Sequence, residues 1–105
     1  MTGILAQFIQ NPGPAHLKAL KHGISYLYTT CDLWLTFGGK DAELIGYTNA
    51  DWASQPDCHS VLGYTFIFGA SAVTWSSKKQ PIVALSSTES EYIAQTHSVK
   101  ELVWL

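Results

Sequence analysis

The spacing of apolar residues predicts two helices in this chain. Pro14 suits the first position of a helix, and the apolar residues after it recur three and four apart, as on one helix face: Leu17, Leu20, Ile24, Leu27 and Tyr28. A second helix is predicted after residue 86, with its apolar face on Tyr92, Thr96, Val99 and Val103, joined by Ile93 and Leu102. Two pairs at its start fit a capping box, Ser86 with Glu89 and Thr88 with Glu91.

Between these helices the pattern predicts strands. Residues 33–37 are typical of a strand closed by a turn over 38–41, and residues 43–52 of a second strand. Alternation along the second strand places Asn49 and Asp51 on one face. Residues 63–68 and 72–76 are predicted to form a hairpin across a turn at 69–71, and Ser77 to Pro81 an exposed connection.

Composition limits the classes of function. At 105 residues the chain is one small domain or part of one, and only 13% of its residues are charged, below the usual ~25%. It has six lysines and no arginine, with a net charge of −2, so it is poorly equipped to hold nucleic acid alone. The sequence shows no signal peptide and no membrane span, and we expect Cys31 and Cys58 to be free thiols. These features together predict an intracellular protein, cytoplasmic or nuclear.

Two acidic residues suggest a metal site. Asp51 ends a predicted strand and Glu91 is predicted to lie in the first turn of the last helix, so the two can offer the hard oxygen ligands that magnesium prefers. Each also has an ordinary structural explanation, because strand-end Asp residues are often solvated and Glu near a helix start favours the dipole. The acidic pattern alone leaves both interpretations open.

Four motifs together resemble the ribonuclease H domain of copia-type retrotransposon polyproteins. They are LIGYTNADWA at 44–53, GY at 63–64, WSSKKQ at 75–80 and ALSSTESEYIA at 84–94. The resemblance covers about 43–105, and residues 1–40 resemble the segment that connects the reverse transcriptase to that domain. It implies an α/β fragment of ribonuclease H-like fold, with three antiparallel strands and a following helix behind a helix–strand connection, and two domains, 1–40 and 41–105.

The resemblance also implies an activity and its residues. Family members hydrolyse the RNA strand of RNA·DNA hybrids with two divalent metals, Mg²⁺ or Mn²⁺. The position of the family's first catalytic aspartate is occupied by Asn49, whereas Asp51 matches the second aspartate of that motif and Glu91 the helix glutamate. Glu89 is expected to act as a helix cap. Lys78 and Lys79 are weak candidates for contacts with nucleic acid, and a solvated loop explains them equally well.

These matches predict a catalytically incomplete fragment. The family's remaining acidic residues follow this helix in later strands, and the C-terminal half of the fold is expected to be absent from these 105 residues. The strand at 43–50 is then expected to expose an edge that pairs with the rest of a polyprotein or with a second copy. Two other hypotheses stay open: a non-catalytic binding or scaffolding module retained from a retroelement, and a nuclease completed by a second chain.

Overall fold

A computed structural model describes residues 2–38 and 43–105 of the chain. The helices are α1 (Thr2–Ala6), α2 (Pro14–Thr29) and α3 (Ser87–Trp104), and the strands are β1 (Leu44–Asp51), β2 (Val61–Phe68) and β3 (Ser71–Lys79). The chain divides into two compact units, Met1–Trp34 and Leu35–Leu105. The expected fragment with three antiparallel strands and helices is confirmed at this level. Most of the turn predicted over 38–41 lies outside the described residues.

The first unit is built around α2, which begins where Pro14 predicts. The ring of His16 stacks on Phe8 with the centroids 4.1 Å apart, and its Nδ1 accepts a hydrogen bond of 2.9 Å from the Gly13 N–H. A side chain thus satisfies a backbone donor left free at the helix start. The large apolar side chains predicted to line one face of α2 are exposed among the described residues. The buried residue of α2 is Gly23.

The second unit is a three-stranded antiparallel sheet in the order β1-β2-β3. The predicted hairpin is confirmed, with longer strands joined by a two-residue loop at Gly69 and Ala70. Their φ angles are 58° and 68°, as in a type I′ turn, whose twist suits the flanking strands. Glycine adopts this conformation freely, whereas alanine is strained in it.

Helix α3 packs on this sheet through small side chains. Its buried residues are Ser90, Ala94 and Ser98, spaced four apart, and they let the helix backbone approach β1 and β2 closely. The apolar face predicted for this helix was wrong, because Tyr92, Val99 and Val103 are exposed among the described residues. The periodicity identified the large apolar residues of α3. The face of α3 that packs on the sheet instead carries small residues, because only small side chains allow a close approach.

Two other predictions about local structure were also wrong. Residues 33–37 form no strand among the described residues, since no neighbouring strand pairs with them, and the carbonyl of Thr36 instead accepts a hydrogen bond from the Ser71 hydroxyl. The connection predicted from Ser77 to Pro81 is not wholly exposed. Strand β3 continues to Lys79, and the Gln80 that follows is buried.

The turn at Gly69-Ala70 predicts that Ala70→Gly stabilises the chain. The substitution relieves the left-handed conformation of an alanine, and we expect the free energy of unfolding to rise by about 1 kcal/mol in urea denaturation. Ala72→Gly, in an extended part of the same hairpin, is the matched control and should lower stability by about 0.5–1 kcal/mol. Equal losses for both variants would contradict the assigned turn.

Candidate metal and nucleic-acid site

The alternation along β1 separates its two faces. An added Cβ on Gly46 would lie 2.5 Å from the Phe66 ring, which is buried on the side of the sheet that α3 covers. The even-numbered residues of β1 therefore face α3. Asn49 and Asp51 share the opposite face, where both are exposed, and their predicted placement on one face is confirmed.

Glu91 comes from the helix on the other side of the sheet. Ser86 caps α3, since its hydroxyl accepts a hydrogen bond of 3.1 Å from the Glu89 N–H. The Glu89 carboxylate accepts in turn from the Leu85 N–H at 2.7 Å, which confirms Glu89 as a cap. Of the two predicted pairs, Ser86 with Glu89 therefore forms the cap. Glu91 lies just beyond the first turn, not within it as predicted, and is half-buried.

The candidate positions 49, 51 and 91 supply only two carboxylates, those of Asp51 and Glu91. Asn49 and Asp51 lie on the open face of the sheet, whereas Glu91 belongs to the helix on the covered face. Within residues 2–38 and 43–105, no group of three or more His, Cys, Asp or Glu side chains could hold a metal ion. A two-metal site needs several carboxylates converging on ions about 4 Å apart. This donor set does not fit that requirement, and we assign no metal-dependent step to it.

The start of α3 is held by a buried polar cluster that the sequence pattern did not indicate. It consists of Ser60, Gln80 and Ser90, each at most 1% exposed. The Gln80 N–H donates to the Ser60 carbonyl at 2.8 Å, and its side-chain amide donates to the Ser90 carbonyl at 2.9 Å. His59 Nδ1 lies 2.9 Å from the Gln80 carbonyl and can donate to it. The cluster thus joins the end of β3, the 53–60 loop and the start of α3.

Two further contacts fix α3 at its ends. At the start, the Trp52 indole N–H donates to the Ala84 carbonyl at 3.1 Å, which ties the end of β1 to the segment before the helix. Near the other end, Thr74 donates to a Glu101 carboxylate oxygen at 2.9 Å. Burial, followed by the charge of Glu101, raises the pKa of Tyr64.

The two lysines proposed as nucleic-acid contacts differ in their surroundings. Lys79 pairs with the Asp57 carboxylate, and the hydrogen bond from Lys79 is the largest cause that lowers the pKa of Asp57 below its ordinary value. Lys78 is exposed. Because Asp57 neutralises Lys79, this edge of the sheet offers less positive charge to a phosphate backbone than the sequence alone indicates.

Comparison with known proteins identifies relatives of the chain. It is 47% identical over 104 residues to the retrovirus-related Pol polyprotein from transposon TNT 1-94 of Nicotiana tabacum, and 38% identical over 103 residues to that from transposon RE1 of Arabidopsis thaliana. These alignments take in 98% and 96% of this chain. The chain is related to a segment of retrotransposon Pol polyproteins.

The chain matches only a short segment of these relatives, 8% of the tobacco polyprotein and 7% of the Arabidopsis one. It also matches a much shorter protein, Secreted RxLR effector protein 161 of Plasmopara viticola, with 45% identity over 105 residues that cover 74% of that protein. No family model matches the chain, and no solved structure does. No helix in the described ranges is long and apolar enough to cross a membrane.

Burial of the Gln80 amide predicts a large effect of Gln80→Glu on the stability of the chain. At neutral pH the variant places a charge where the side chain is 1% exposed, and we expect a loss of more than about 2 kcal/mol in the free energy of unfolding. Gln95→Glu, at an exposed position of α3, should change stability by less than about 0.5 kcal/mol. Similar small effects from both variants would argue against a buried cluster at Gln80.

The raised pKa of Tyr64 predicts a loss of stability in alkali. The folded chain holds this proton more tightly than the unfolded chain, whose pKa is near 10.0. The stabilisation is therefore fully present below pH 10.0 and is lost as pH rises through the raised pKa. Thermal unfolding measured against pH should show a flatter alkaline limb for Tyr64→Phe than for wild type, with Glu101→Gln intermediate. Identical alkaline limbs for wild type and Tyr64→Phe would contradict the assignment.

Proposed function

We propose that this chain is a ribonuclease H-like piece of a copia-type retroelement Pol polyprotein that does not itself hydrolyse nucleic acid. The ancestral reaction is hydrolysis of the RNA strand in RNA·DNA hybrids with two divalent metals. One observation carries the proposal: Asn49 occupies the position of the first catalytic aspartate in a motif otherwise retained as Tyr47 to Trp52. An amide offers a neutral oxygen, and charge is what holds two cations beside a phosphate.

The order of elements supports the family assignment. Three antiparallel strands are followed directly by a capped helix, which is the order implied by the resemblance of residues 43–105. The motif residues also lie where such a domain carries them, with Asn49 and Asp51 late in β1 and Glu91 early in α3. The agreement in order, together with relatedness to Pol polyproteins, supports a ribonuclease H-like origin.

The proposal includes weak binding of Mg²⁺ or Mn²⁺. Asp51 and Glu91 are the two motif carboxylates, and they arise from elements on opposite sides of the sheet. Position 49 supplies no charge beside either carboxylate, because Asn49 is neutral. A divalent cation at either residue therefore meets one carboxylate and water, which is the situation of an ordinary surface site rather than a nuclease centre.

The proposal also includes weak binding of the RNA·DNA hybrid by the isolated chain. With no arginine and a net charge of −2, few groups can release counterions from the phosphate backbone. Lys79 is already paired with Asp57, which leaves Lys78 as the exposed lysine of this pair. We place such a chain in the cytoplasm or nucleus, where hybrid contacts would depend on other parts of a polyprotein or on a second chain.

A non-catalytic binding module is a second candidate, favoured by one comparison. The match to Secreted RxLR effector protein 161 covers 74% of that protein, so most of a short protein named as an effector corresponds to this segment. A segment of this kind can thus make up most of a protein. Under this candidate the chain acts through surface contacts, and Asn49, Asp51 and Glu91 need no joint role.

Restoring the missing carboxylate tests the account of metal binding. Asn49→Asp adds a negative charge on the face that carries Asp51, and we expect Mn²⁺ affinity measured by calorimetry to rise on the order of tenfold. Asn49→Ala is the control and should bind as weakly as wild type. Tight Mn²⁺ binding by the wild-type chain, unaffected by either change, would contradict the role given to Asn49.

The same proteins test hydrolysis directly. A labelled RNA·DNA hybrid incubated with wild type and Mg²⁺ or Mn²⁺ should stay intact, and we expect Asn49→Asp to cleave no more than wild type, because positions 49, 51 and 91 alone supply fewer carboxylates than the resemblance implies. Robust cleavage by wild type that Glu91→Ala abolishes would overturn the proposal. Cleavage gained only on adding a second chain to Asn49→Asp would favour the completed-nuclease hypothesis instead.

A further inference from the structure

We draw no further inference here: the strongest candidate, the Gln80 Oε1 atom in the buried polar cluster at the start of α3, accepts no hydrogen bond from the described residues, and its burial leaves no room beside it for a water molecule, an ion or another ligand.

Discussion

The buried amide of Gln80 holds the second unit together. It lies where β3 ends, and its backbone and side chain reach the Ser60 and Ser90 carbonyls. These two hydrogen bonds join the 53–60 loop and the start of α3 to the end of β3. The Oε1 atom of the same amide is buried without a hydrogen-bond partner among the described residues. The small side chains of Ser90 and Ala94 let α3 approach the sheet closely. The position of Glu91 is set by the position of α3.

Positions 49, 51 and 91 together supply two carboxylates, those of Asp51 and Glu91. The chain retains a strand carrying Asn49 and Asp51 and a helix carrying Glu91, but α3 is fixed to one face of the sheet while the strand residues point from the other. A carboxylate at position 49 is also missing. Relatedness to Pol polyproteins is therefore carried by the sequence of the whole segment.

The sequence predicted the elements better than their packing. Pro14, the alternation along β1 and the Ser86 cap placed α2, β1 and α3 correctly, because each is a local signal. The buried face of α3 was missed, since periodicity follows large apolar residues and cannot show which face approaches a sheet closely. The strand over 33–37 was wrong for a related reason: strand propensity is local, but pairing requires a neighbour. Gln80 follows Lys78 and Lys79 in a segment predicted to be an exposed connection, and nothing in the hydrophobic pattern indicates that it is buried.

The central proposal is that Asn49, Asp51 and Glu91 do not bind a metal ion together in this chain. Titration with Mn²⁺ followed by amide NMR tests it most directly, because the paramagnetic ion broadens signals close to where it binds. The account predicts no selective broadening shared by the amides of these residues at low Mn²⁺ concentration. Simultaneous selective broadening of all three, removed by Glu91→Gln, would contradict it.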